Sequence, residues 1–137
     1  MVEINIAYEG GLHTQAVHGP SGQSLSTDAP KDNQGRGESF SPSDLLATSL
    51  GTCMLTMMGM EAKKLNIPLE GTNVRVEKHM VNDPKRKIGK LVLDFHLPKG
   101  LNPEQKNALE ESIKGCPVCR SIDPKINLRI SFHYSSE

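Results

Sequence analysis

From Val2 to Tyr8, apolar and polar residues alternate with a period of two, and Gly10-Gly11 follows at once. This predicts a strand that turns back into a second strand. Gly19-Pro20-Ser21-Gly22 predicts another turn, with a short third strand near Ser24–Thr27. Residues 28–41 are polar and rich in turn formers, and read as an irregular loop. A helical period then takes over. Ser41-Pro42-Ser43-Asp44 supplies a capping residue, a proline at the first helical position and an acid three after the cap. Leu46, Leu50, Cys53, Met57 and Met60 recur at spacings of three and four, and Leu45, Ser49 and Met54 widen the stripe. The pattern predicts a helix of about six turns from Pro42 to near Lys64, central and covered on several faces.

Two alternating stretches follow, over residues 72–82 and 90–97, joined by the basic turn Asp83-Pro84-Lys85-Arg86-Lys87. They read as a hairpin whose turn is solvated. Asn102-Pro103-Glu104-Gln105 opens a second helix with Leu109 and Ile113 on its inner face and Gly115 as its terminator. Cys116-Pro117-Val118-Cys119 starts a short further helix, stopped by Asp123-Pro124, and Ile126–Tyr134 alternates as a final strand. This order predicts an α+β fold with a mostly antiparallel sheet, in one domain over residues 1–137.

Charge narrows the partners. Sixteen Lys and Arg balance sixteen Asp and Glu, so no broad attraction to nucleic acid or an anionic membrane surface is expected. Aromatics are 4% of the chain, without Trp, which leaves little for stacking bases or sugars. No apolar run is read as reaching the roughly 20 residues that span a bilayer, and no secretory signal is read at the N-terminus. Three cysteines make no disulfide framework, so reduced thiols and a cytoplasmic location are expected. A domain this small buries about two-thirds of its unfolded surface, and a subunit interface would add to the core.

The candidate chemistry lies with the thiols. Cys53 is in phase with Leu46, Leu50 and Met57, which by itself suits a small core residue. Cys116 precedes a proline at a helix start, where unpaired backbone N–H groups would lower its pKa. Cys119 lies one turn on. A Cys-x-x-Cys pair can be a redox pair or half a zinc site. The five His residues are scattered, so no metal is expected. A thioredoxin-type pair should follow a strand, and this one follows a helix.

Taken together, Ser41-Pro42-Ser43-Asp44-Leu45-Leu46, Ser49-Leu50-Gly51-Thr52-Cys53 and Gly115-Cys116-Pro117-Val118 before a terminal strand resemble the OsmC/Ohr family of osmotically inducible and organic-hydroperoxide-resistance proteins. The two cysteine motifs stand about sixty residues apart, and the resemblance covers nearly the whole chain in element order. It implies an intertwined homodimer, with sheets wrapped around two long cysteine-bearing helices. It implies a thiol peroxidase acting on organic hydroperoxides in oxidative-stress defence, with no cofactor and an external dithiol as reductant. By motif position Cys53 matches the attacking cysteine and Cys116 the resolving one. In that family an arginine paired to a glutamate holds the thiolate, and Arg36, in the loop before the helix, is the candidate. The family's peroxidases usually carry Glu directly after the helix-opening proline, where this chain has Ser43; Asp44 caps the helix, and Glu38 could take the acid's place. Cys119 is either a bystander or an alternative resolving partner. Met57 and Leu50 are candidates to line an apolar substrate pocket, although the Met cluster also suits a core. Two other readings stand beside the enzyme: a non-catalytic binding module of the same fold, favoured by Ser43, and a redox sensor using Cys116 and Cys119.

Overall fold

The alternation in the first thirty residues folds into three strands, β1 (Ile4–Gly10), β2 (His13–His18) and β3 (Ser24–Asp28). They form an antiparallel sheet in the order β1-β2-β3. Gly10 and Gly11 take φ of +85° and +62° at the first turn, a backbone that side chains resist. The computed structural model describes residues 1–135, and it divides into two compact units, Met1–Leu46 and the chain from Ala47 onward.

In the first unit the segment after β3 closes on itself. The Asp28 amide donates to Phe40 O at 3.0 Å and the Gly37 amide to Ala29 O at 3.1 Å, with a three-residue 3-10 turn at Lys31–Asn33 between them. Then comes the predicted capping box. The Asp44 amide donates to Ser41 Oγ at 3.1 Å, and the Ser41 amide donates to Asp44 Oδ2 at 2.9 Å, so two orphan donors of the helix start are satisfied. Ile4, Ile6 and Tyr8 alternate onto one face of β1, with Ala16 and Leu25 level with them across the sheet. All but Ala16 are exposed, Ile6 and Tyr8 at 68% each.

The helix α1 (Pro42–Leu65) runs as long as the period predicts, but its buried stripe is rotated. Ala47, Leu50, Gly51, Met54, Met58 and Ala62 are buried, whereas Leu46, Cys53 and Met57 are half-buried and Met60 is 55% exposed. Ala and Gly carry little hydropathy, so the periodicity followed the larger side chains and missed the small ones that let the helix approach. A Cβ on Gly51 would lie 3.0 Å from Val76 Cγ2 and 3.4 Å from Val74 Cγ1, so the missing side chain is what admits those valines. Within this chain the helix is covered along one stripe, with Ser49, Thr52, Thr56 and Gly59 exposed. It is also long and apolar enough to cross a membrane, which corrects the expectation that no segment reaches that length. The buried stripe against Val74 and Val76 gives that apolarity a use in the core.

The second sheet has the order β4-β5-β6. Strands β4 (Asn73–Asn82) and β5 (Arg86–Leu97) are the predicted hairpin, and β6 (Asn127–Tyr134) pairs with β5 in parallel. Three of the four pairings are antiparallel, as expected, and the parallel one follows from the helical crossover that separates β5 from β6. Register puts Val74, Phe95 and Phe132 in one row and Val76, Leu93 and Ile130 in the next. Phe95 and Phe132 stack at 5.4 Å. Leu91, Leu93 and Phe95 are fully buried, so β5 is the core strand.

The crossover begins with α2 (Pro103–Ser112), held by a reciprocal capping box between Asn102 and Gln105, and buries Leu109. A 3-10 turn at Ile113–Gly115 follows, then α3 (Pro117–Ser121). Gly115 is not the left-handed terminator that the sequence predicts, since it is not among the glycines with positive φ. Its smallness serves packing instead, because a Cβ there would lie 2.9 Å from the methyl of Met57.

Candidate functional site

Cys116 occupies the N-cap of α3 with extended backbone, φ −63° and ψ 115°. Pro117 fixes the first helical φ and has no N–H to satisfy. The next turn then aims its amides at the capping side chain, and the Cys119 amide donates to Cys116 Sγ at 3.3 Å. On its other side Cys116 shares a side-chain hydrogen bond with Cys53, from the middle of α1. Helix α1 and the short helix α3, far apart in sequence, thus bring all three cysteines of the chain to one place. None is in a disulfide.

The three differ in burial. Cys116 is fully buried, whereas Cys53 and Cys119 are half-buried. Burial pushes the Cys116 thiol up, the hydrogen bond with Cys53 pushes it further, and the amide of Cys119 pulls only partly back. This reverses the expectation that the helix start lowers its pKa. The amide is there, but in a fully buried site the cost of a charged sulfur outweighs one or two N–H donors on a five-residue helix. Burial and the hydrogen bond with Cys53 thus favour the protonated form of Cys116.

Met57 lies one turn beyond Cys53 on α1, with its methyl over Gly115, the residue before Cys116. Leu50, three residues before Cys53, is fully buried among the core residues of α1. Among the described residues no group of three His, Cys, Asp or Glu side chains could hold a metal ion.

The first unit carries a separate charged cluster around Asp28. His13 Nδ1 lies 2.5 Å from Asp28 Oδ1, its Nε2 lies 3.4 Å from Glu9, and the Glu38 amide donates to Asp28 Oδ2 at 3.0 Å. The His13 hydrogen bond leads in holding the Asp28 carboxyl below the usual range, opposed by burial and aided by the Glu38 amide and the charges of His13 and Arg36. Arg36 is exposed, and its guanidinium lies 3.3 Å from where a Cβ on Gly11 would stand. Glu38 is exposed too, and what it offers Asp28 is its backbone amide. Ser43 Oγ is 3.3 Å from Ser41 Oγ, within the helix cap. Sequence reasoning missed Asp28 and His13. The available signal was their pairing across two short strands, where they stand directly opposite in the β2–β3 register.

The fold is that of a small α+β protein with its cysteines gathered together, and the comparisons with known proteins agree with the fold. The OsmC-like protein family model matches residues 35–131, so the chain belongs to the OsmC-like family. A protein from Psychrobacter arcticus, assigned to osmotic stress and the detoxification response, is 39% identical with a TM-score of 0.91, covering 97% of this chain and 96% of that one. An organic hydroperoxide resistance protein from Legionella pneumophila is 20% identical with a TM-score of 0.77, covering 97% and 96%. One from Vibrio cholerae, with captopril bound in one of its active sites, is 15% identical with a TM-score of 0.72, covering 98% and 92%. These last two show likeness of fold. No curated protein matches the sequence.

Proposed function

We propose that this protein is a cysteine-based peroxidase that reduces organic hydroperoxides in oxidative-stress defence, working as a homodimer in a reducing cytoplasm. The observation that carries the reading is the hydrogen bond between the side chains of Cys53 and Cys116. Two thiols so placed can close a disulfide once one of them is oxidised.

The cycle follows from their environments. Cys53 attacks the distal peroxide oxygen as thiolate; the O–O bond breaks, the alcohol leaves with a proton from solvent, and Cys53 becomes a sulfenic acid. Cys116, buried and protonated, attacks the sulfenic sulfur, and its proton goes to the departing hydroxide as water. An external dithiol then reduces the Cys53–Cys116 disulfide by exchange and becomes a disulfide itself. Met57 supplies apolar surface beside the thiols for an alkyl chain. Within the first unit the acid that feels the charge of Arg36, the cation expected from the family resemblance, is Asp28.

Stopped-flow consumption of cumene hydroperoxide and hydrogen peroxide, with a dithiol reductant, tests the reading. Wild type should prefer the bulky peroxide, and Cys53→Ser should lose turnover. Equal consumption by Cys53→Ser would remove the proposal. A second reading, a binding module without turnover, is favoured by Ser43 standing where the family's peroxidases carry an acid. It predicts that an apolar ligand binds while no peroxide is consumed.

A further inference from the structure

Cys119 has no part in the two-thiol cycle, yet its amide bonds the sulfur that resolves it. The chain has three cysteines, and all three fall in one cluster with Cys116 in the middle. Cys116 and Cys119 sit at the cap and third position of one helical turn. Residues so spaced have β-carbons about 5–6 Å apart on a regular helix, so a bridge needs the turn to draw them in to about 3.5–4.5 Å, and Cys116, at the cap with extended backbone, is not held by the helix. Cys116 is fully closed to solvent and Cys119 is not. Cys53 and Cys119, both half-buried, flank the buried Cys116, so a bridge from Cys116 to either one has a sulfur within a reductant's reach.

We infer that Cys119 is the third member of a thiol relay: it moves the disulfide from Cys53–Cys116 to Cys116–Cys119 and presents it to the external dithiol. The step is an exchange without net redox change. The Cys119 thiolate attacks Cys116 Sγ, the Cys116–Cys119 bond forms, the Cys53–Cys116 bond breaks, and Cys53 leaves as thiolate. The proton released when Cys119 ionises goes to solvent. The external dithiol then attacks Cys119 Sγ, passes through a mixed disulfide, and leaves both protein thiols reduced while it becomes a disulfide. The attacking cysteine is thereby free for a new peroxide before the protein has met its reductant. The relay rests on the peroxidase reading above.

The distinguishing consequence is stoichiometry without reductant. Once Cys116–Cys119 has formed, Cys53 is a thiol again and accepts a second peroxide. Fully reduced wild type should consume two equivalents of cumene hydroperoxide. Peptide mapping should then show Cys116–Cys119, and dimedone should label Cys53 as sulfenic acid. Cys119→Ser should stop at one equivalent, with a Cys53–Cys116 bridge and no dimedone label. Wild type that stops at one equivalent and holds Cys53–Cys116 would overturn the relay while leaving the peroxidase intact. A separate arm does not depend on peroxide chemistry. Cys53→Ser, equilibrated with oxidised and reduced dithiothreitol, should form Cys116–Cys119 within the monomer chain. Failure to close that bridge overturns the relay even where wild type turns over. Closure, together with a wild type inert to every peroxide, overturns the peroxidase reading and with it the relay, and leaves a plain dithiol pair.

Discussion

Cys116 is the residue whose chemistry burial changes most. A helix cap that would activate an exposed thiol leaves this one protonated, because desolvation of the charged sulfur exceeds what its amide donors return. In Cys53→Ser, alkylation of Cys116 by iodoacetamide should therefore stay slow at neutral pH and rise only above the ordinary thiol range; rapid labelling at pH 7 would show the cap winning. Asp28 carries the opposite shift. Its folded carboxyl lies below the ordinary value, so its contribution to folding is present above the unfolded pKa and is lost as pH falls through the folded one. Asp28→Asn should lower Tm at neutral pH and flatten the loss of stability as pH falls through and below the ordinary carboxylate range. Unchanged acid melts would remove Asp28 as the tie for the Arg36 loop. The meeting of Cys53 and Cys116 was legible because two motifs could be matched to one family. Burial at Cys116 was not, since a cysteine before a proline looks the same in sequence whether water reaches it or not.

At the scale of elements, caps and breakers located the helices closely. Pro42 opens α1, and Asn102 and Gln105 form the box that opens α2. What the pattern misjudged was the phase of α1. The stripe that packs contains Ala47, Gly51 and Ala62, residues whose value lies in what they leave out. Gly51→Val should force valine methyls into Val74 and Val76 and cost about 1–3 kcal/mol, read as a fall in Tm; a neutral effect would mean that the helix can rise off the sheet freely. The parallel pairing of β6 was equally hidden, because alternation reports which face is buried and says nothing of strand direction. Gly115 was read as a stop signal, and it serves instead as the seat for Met57 beside Cys116.

At the scale of the whole molecule, the exposed apolar residues call for a cover. Ile4, Ile6 and Tyr8 face out from β1, and α1 leaves Met60 and a stripe of small residues open. A second copy of the chain is the cover we propose. Wild type should sediment as a dimer, and Ile6→Asp with Tyr8→Asp should shift it toward monomer; a wild type that sediments as a single chain would remove this part. Peroxidase turnover by the two-thiol cycle turns on which bond forms first after a peroxide is reduced. Rapid acid quench within the first turnover, followed by alkylation and peptide mapping, reads that bond directly. The earliest bridge should join Cys53 to Cys116. A first bridge that excludes Cys53, or a Cys53 that remains an unoxidised thiol while peroxide disappears, would contradict it.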